Sequence, residues 1–142
     1  MTSVHLSYKT RSEIPRREPE SHIHAKIAVA VAAERYGYFF KFEKKTMPLM
    51  YFGRLTEFPV DVYLGSARRH DKVYVQCDGT IHFKNQYLMQ KTKVRDQVIG
   101  EFCKSKGIRY VVLLVEEINH YYTNDELARR LGLTDDSSDH KC

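Results

Sequence analysis

Three side chains with oxygen donors, Asp61, Gln76 and Asp78, lie in two neighbouring segments in which apolar and polar residues alternate. Because successive side chains of a β-strand point to opposite faces, we expect all three to project from the face opposite the apolar residues of 58–64 and 72–78. Adjacent strands lie about 4.8 Å apart, so these groups would converge. Two carboxylates and an amide carbonyl are hard ligands of the kind that suits Mg²⁺. This face is therefore a candidate metal site, and an ordinary solvent-facing sheet is the alternative interpretation.

The basic residues of the chain are concentrated in its middle. The 142 residues carry a net charge of +5, but residues 35–95 hold 12 bases and 5 acids, whereas residues 96–142 hold 6 bases and 9 acids. Such an asymmetry favours a surface that faces a polyanion, with DNA as the expected partner and RNA as the alternative. A solvated basic face without a partner explains the charge equally well.

A regular order of secondary-structure elements would position these residues. Apolar residues recur every four positions from Ile23 to Val31 and predict a helix over 20–35. Three strands, a long helix, a buried central strand and a short helix are then predicted at 38–42, 58–64, 72–78, 85–105, 108–115 and from 124. Thr123 and Glu126 form the capping box of the last helix. The predicted fold is α/β (α+β), of order α-β-β-β-α-β-α, with helices flanking a small mixed sheet.

The two ends of the chain are predicted to lie outside this domain. Residues 1–19 combine prolines and charges without an apolar period, which predicts a flexible arm, and residues 135–142 predict a disordered tail. A single domain over 20–134 is left. No apolar stretch reaches the roughly 18–20 residues of a membrane span, and no secretory pattern opens the chain. Three widely spaced cysteines favour a reducing, cytoplasmic location (the host cytoplasm if the protein is viral) and no membrane.

A longer series of residues surrounds the candidate metal site. Asp78 and Gly79 are followed by His82, and Asp96 lies eleven residues before the helix-ending Gly107. Together with Asp61 in the run 58–61, this series resembles the PD-(D/E)XK, or restriction-endonuclease-like, nucleases. It is most similar to the branch of the very-short-patch repair endonucleases and the EDxHD homing endonucleases. The resemblance extends over residues 20–117.

The resemblance implies a metal-dependent endonuclease that hydrolyses phosphodiester bonds of DNA, in nicking, repair, homing or restriction. It implies that Asp61, Asp78 and the backbone carbonyl of Cys77 hold Mg²⁺ or Mn²⁺. It also implies that His82 exchanges a proton with the attacking water or steadies the leaving oxygen, and that Asp96 orients His82. The basic residues expected to hold flanking phosphates are Arg68, Arg69, Lys91, Lys93 and Arg95.

An acid on the first helix often completes the catalytic set in such nucleases. Glu20 is the best-placed candidate in this chain and Glu34 is a second one, whereas His24 stands where an acid is expected. A chain of this size would carry one active site, so cutting both DNA strands would require a homodimer or two visits.

Gln76 departs from the family pattern, which places a glutamate at this position. A neutral amide removes one formal negative charge from the metal site. Three alternatives therefore stay open beside the active DNA nuclease: a weak or single-ion site, a catalytically inactive nucleic-acid-binding protein on a nuclease-like scaffold, and an RNA-directed nuclease.

Overall fold

A computed structural model of the chain describes residues 20–79 and 86–134. The helices, in chain order, are α1 (Glu20–Arg35), α2 (Gln86–Lys106), α3 (Val115–His120) and α4 (Asn124–Arg130). The strands are β1 (Phe39–Lys45), β2 (Leu49–Tyr51), β3 (Arg54–Thr56), β4 (Pro59–Ser66), β5 (Asp71–Asp78) and β6 (Arg109–Leu114). The predicted arm, the predicted tail and His82 lie outside the described residues. Within the described ranges, no helix combines the length and the apolar character needed to cross a membrane.

Four strands form one mixed sheet in the order β1-β4-β5-β6. β4 pairs antiparallel with both β1 and β5, whereas β6 pairs parallel with β5. The parallel connection from β5 to β6 runs through α2, since parallel neighbours need a crossover between them. The prediction of a mixed α/β domain with helices packed on a small mixed sheet is confirmed at this level.

Different helices cover the two faces of the sheet. Val73 and Val75 of β5 belong to a buried cluster that also contains residues of α1, α3 and α4. Tyr74, which lies between them, belongs to a second cluster with Ile99 and Cys103 of α2. This alternation follows the pleat of a strand. A charged side chain on β4 or β5 can therefore meet a cation from either helical layer.

The last strand differs from its prediction. The segment 108–115 was expected to be a buried central strand, but β6 lies at the edge of the sheet as the structure describes it, and Val112 is 39% exposed. Its residues are apolar on both sides because Tyr110 packs toward the α2 cluster and Val111 toward the opposite one. A strand that is apolar on both faces is therefore one that helices cover on both sides, and it need not lie at the centre of the sheet.

A hairpin and a helix were not predicted from the sequence. The hairpin of β2 and β3 turns at Phe52 and Gly53, whose φ angles are +48° and +76°. The helix α3 begins at the last residue of the predicted strand 108–115 and carries Glu116 and Glu117 in its first turn. Acidic residues in the first turn suit a helix because they lie at the positive end of its dipole.

Candidate functional site

At the end of the β4–β5 hairpin where the site was predicted, side chains make hydrogen bonds to the backbone of the neighbouring strand. Continuing the register beyond Val62 and Val75 sets Asp61 opposite Gln76. Gln76 Oε1 accepts the N–H of Asp61 at 3.1 Å, and Asp61 Oδ2 accepts the N–H of Cys77 at 2.7 Å. Three predicted site residues, Asp61, Gln76 and Cys77, are therefore in direct contact.

A buried lysine of α1 meets Asp61 from one face of the sheet. The Lys26 side chain is only 1% exposed, and its Nζ lies 3.5 Å from Asp61 Oδ1 and donates to Glu43 Oε2. The Asp61 and Glu43 side chains keep 21% and 25% of their surface exposed. A buried charge is tolerated when it is paired, so these two carboxylates make the position of Lys26 favourable.

An arginine of α2 binds Asp78 from the other face. The Asp78 side chain is 3% exposed, and Arg95 Nη2 donates to Asp78 Oδ1 at 3.0 Å and to Asp96 Oδ1 at 2.9 Å. The hydroxyl of Tyr110 donates to the same oxygen of Asp96 at 2.7 Å.

The pKa directions in this network agree with its geometry. Burial alone would lower the pKa of Arg95, but the carboxylates of Asp96 and Asp78 outweigh it and raise that pKa. Burial and the Asp96 carboxylate together raise the pKa of Tyr110. Arg95 is therefore a permanent cation and Tyr110 a permanent hydrogen-bond donor around neutral pH.

The prediction that the two aspartates project from the same face is wrong. Asp61 is paired with Lys26 in the α1 layer, whereas Asp78 is paired with Arg95 in the α2 layer. Asp96, which was expected to orient His82, is bound by Arg95 and Tyr110. Because His82 lies outside the described residues, that expectation stays a prediction. The two carboxylates therefore lie at the same end of the hairpin but face different cations.

The regular pairing of β1 with β4 is interrupted beside Asp61. Pairing of Phe42 with Val62 and of Lys44 with Val60 places Glu43 beside Asp61, and Glu43 has a left-handed backbone with φ of +54°. Val60 packs in the α2 cluster, although Val62 packs in the α1 cluster. The alternation of faces along β4 therefore shifts at Asp61, and its carboxylate turns toward α1.

The residues of α1 that were candidates for the catalytic acid are exposed and differ from the residues of α1 that reach these contacts. Glu20 pairs with His24 at 3.5 Å, and both side chains are more than half exposed. Glu34 is exposed in the last turn of α1. His22, by contrast, packs against Gly79, where an added Cβ would come within 2.8 Å of the His22 ring. The residues that α1 directs to the site end are therefore His22 and Lys26.

Sequence reasoning missed Lys26, which contacts both Asp61 and Glu43, and it missed Glu43 itself. A signal for Lys26 was present, since it follows Ile23 by three positions and His22 by four and so lies on the apolar face of the helix. A cation within an apolar stripe indicates a buried counter-charge. No sequence signal identifies the left-handed backbone of Glu43.

The residues expected to hold phosphates fall into separate regions. Arg68 and Arg69 belong to the turn between β4 and β5, at the opposite end of the sheet from Asp61, and Arg69 Nη1 donates to a backbone carbonyl near the end of the described chain at 2.8 Å. Lys91 and Lys93 are exposed on the first half of α2. Only this helix presents predicted phosphate-binding lysines near the site.

The described residues contain no group of three or more His, Cys, Asp or Glu side chains that could hold a metal ion. What they offer is a pair of neighbouring oxygen donors, the Asp61 carboxylate and the β5 backbone, with five further charged groups around them, namely Lys26, Glu43, Asp78, Arg95 and Asp96. Comparison of the chain with known protein families, with curated proteins and with solved structures finds no match.

Proposed function

We propose that the protein is a metal-dependent endonuclease that acts on DNA and has a restriction-endonuclease-like fold. The order α1, β1, β4, β5, α2, β6 is the one that the resemblance implies, with the β2–β3 hairpin as an insertion. The Asp61 contacts lie on the β4–β5 hairpin, where the resemblance expects the active site. Both observations support the proposal.

A gathering of carboxylates at this end of the hairpin is the observation that carries the proposal. The carboxylates of Glu43 and Asp61 contact Lys26, and those of Asp78 and Asp96 contact Arg95. Carboxylate oxygens are ligands that a divalent cation such as Mg²⁺ prefers, and the Asp61 side chain keeps part of its surface exposed.

Asp61 and Cys77 fit a magnesium ion better than Asp78 does. Mg²⁺ is commonly held by one or two carboxylates, while waters and substrate phosphates complete its octahedron. The Asp61 carboxylate is partly exposed, and the N–H and C=O of a strand residue face the same neighbour, so the Cys77 carbonyl also faces β4. Asp78 is nearly inaccessible and bound by Arg95, which makes it a positioning residue.

The bound ion would polarise a phosphate oxygen and lower the pKa of a coordinated water. The side chains of the chain would hold its ligands in place. Lys26 and the Cys77 N–H orient the Asp61 carboxylate, and Arg95 ties α2 to the end of β5. Lys91 and Lys93 are available for phosphates, which predicts strongly salt-dependent binding.

A nucleic-acid-binding protein without nuclease activity is the second candidate. It is favoured by the ion pairs themselves, because Lys26 and Arg95 already bind Asp61 and Asp78, and by the neutral amide of Gln76. In this alternative the two cations replace the metal ion and hold the hairpin end together.

Incubation of the full chain with supercoiled plasmid and Mg²⁺ or Mn²⁺ separates the two candidates. We expect nicking that Asp61→Asn abolishes, that Asp78→Asn weakens and that Gln76→Glu preserves or raises. Asp71→Asn is the matched control, since it is the same substitution at the other end of the hairpin, and it should leave nicking intact.

Binding without cleavage in either metal would support the second candidate and contradict the first. Faster cleavage of RNA than of DNA would indicate an RNA-directed nuclease. Complete loss of nicking in Gln76→Glu would contradict the placement of the ion beside Asp61 and Cys77.

A further inference from the structure

A groove of about 1340 Å³ lies between the β2–β3 hairpin and the first half of α2. It combines cations with aromatic rings, namely Lys45, Arg54, Lys91, Tyr51, Phe52 and Tyr87. Glu57 is the one acid among the described residues that line it. The groove is therefore a positively charged surface with an aromatic lining, and none of the Asp61 contacts forms part of it.

A hydrogen bond joins the two walls of the groove. The Tyr51 hydroxyl donates to the Lys91 carbonyl at 3.2 Å, which attaches the hairpin to α2. The Tyr51 ring packs edge-on against Phe52 and Phe58, with centroids 4.6 and 5.0 Å away. On the rim, Phe52 and Tyr87 are 63% and 64% exposed, so much of each ring is accessible to a ligand.

We propose that this groove binds a single-stranded segment of DNA. Exposed rings next to cations are the combination that binds unpaired nucleotides, because bases stack on the rings while the cations meet the phosphates. Lys91 Nζ lies 5.0 Å from the Tyr87 ring centroid, which brings both kinds of contact to one place. The choice of DNA rests on the proposed endonuclease function, for which the groove names the substrate class.

Other occupants fit the groove less well. A second copy related by a two-fold axis would present the same patch to itself, so the cations Lys45, Arg54 and Lys91 would face their own copies. A DNA duplex keeps its base faces stacked inside, so it would offer no base face to the exposed rings of Phe52 and Tyr87.

The groove also leads toward the proposed active site. Lys91 and Val94 line it, and Arg95, which binds Asp78, is the next residue of the same helix. Lys91 and Arg95 are one helical turn apart, about 6 Å along the axis. A strand bound in the groove would therefore extend toward the end of β5, so the proposed substrate has a single-stranded segment next to the scissile bond.

Fluorescence anisotropy with a labelled single-stranded DNA 20-mer, measured on the full chain in EDTA, tests the inference. We expect the double variant Phe52→Ala/Tyr87→Ala to lose at least about tenfold in affinity, since each stacked base contributes to binding. Tyr121→Ala is the matched control, because Tyr121 is 73% exposed but follows α3, on the opposite layer, and it should not change the affinity. Lys91→Ala should reduce the salt dependence of binding, whereas Lys104→Ala, near the other end of α2, should not.

Three results would overturn the inference. They are an unchanged affinity in the double variant, equal or tighter binding of a duplex or an RNA of the same sequence, and a wild-type dimer that the double variant loses. The anisotropy measurement is made in EDTA and therefore reports binding separately from cleavage. If the chain binds the 20-mer there but does not cleave DNA in the assays with Mg²⁺ or Mn²⁺, the result contradicts the proposed function alone. Cleavage with binding that is insensitive to the groove variants would contradict this inference alone.

Discussion

The two ends of the β4–β5 hairpin both place aspartates against cations, but they differ in the number of carboxylates that each cation contacts. At the turn end, Asp71 accepts hydrogen bonds from Arg109 and from the Tyr38 hydroxyl, each at 2.7 Å. Arg109 also donates to the Leu131 carbonyl at 2.7 Å, and so joins the sheet to the residues after α4. In this described ion pair, one arginine contacts one carboxylate.

At the other end, which carries Asp61 and Asp78, each cation contacts two carboxylates. Lys26 contacts both Glu43 and Asp61, and Arg95 contacts both Asp78 and Asp96. The comparison teaches that an ion pair alone does not distinguish a structural network from a candidate site, whereas a cation that contacts two carboxylates marks the place where acids gather.

The largest effect is expected from removing Lys26, the buried lysine at the end of the hairpin that carries Asp61. Lys26→Met would leave Glu43 and Asp61 without their common cation, and we expect a loss of about 3 kcal/mol in the free energy of unfolding. Urea denaturation of both proteins measures the difference. The triple variant Lys26→Met/Glu43→Gln/Asp61→Asn, which removes the charges together, should recover most of that loss. A loss below about 1 kcal/mol in Lys26→Met would mean that water already compensates these carboxylates.

A smaller, pH-dependent effect on stability is expected at Asp71, at the turn end of the hairpin. Burial would raise the pKa of Asp71, but hydrogen bonds from Arg109 and Tyr38 outweigh it and lower that pKa. The carboxylate therefore stabilises the fold in full above the ordinary pKa of aspartate, about 4, and loses this contribution as the pH falls through the lowered value. Asp71→Asn should cost about 1–2 kcal/mol at pH 7 and progressively less below pH of about 4.

Denaturation of the wild type and of Asp71→Asn across that pH range measures this effect. Asp125→Asn serves as the control, since Asp125 accepts only an exposed hydrogen bond from Tyr36 among the bonds described. A difference between the wild type and Asp71→Asn that stays constant into acid would contradict the role of the charged Asp71 carboxylate.

The smallest effect is expected at Glu20, which belongs to neither network. Its pairing with His24 is exposed, and such pairs contribute within about 0.5 kcal/mol. Glu20→Gln should therefore change neither the unfolding midpoint nor the nicking of plasmid appreciably. Loss of nicking with an unchanged midpoint would restore Glu20 as the first-helix acid of the active site.

Local patterns were sufficient to predict the elements that carry the site. The four-residue apolar period gives the bounds of α1, and the capping box at Thr123 is present, with its Oγ1 accepting the Glu126 N–H at 3.1 Å. The alternation of β5 also holds, because Val73 and Tyr74 pack in opposite clusters. These features depend on neighbours within a few residues, which a sequence displays directly.

The arrangement of the site could not be predicted in the same way. The side to which Asp61 turns depends on the φ angle of Glu43 on another strand and on a lysine of α1. The β2–β3 hairpin could not be predicted because its strands have three residues each, which is too few for an alternating pattern. Several of its apolar side chains are also exposed. Both features are set by contacts between distant segments.

The wide separation of the site residues along the chain has a consequence for how the protein folds. Asp61 and Asp78 belong to one hairpin, but Lys26 precedes Asp61 by 35 residues and Arg95 follows Asp78 by 17. The entropy lost on closing a loop grows with its length, so the hairpin can pair before α1 docks. Until both helices dock, the hairpin supplies Asp61 with the Cys77 N–H, but the cations Lys26 and Arg95 are missing. Their final geometry therefore forms at a late stage of folding, when the helical layers close over the sheet.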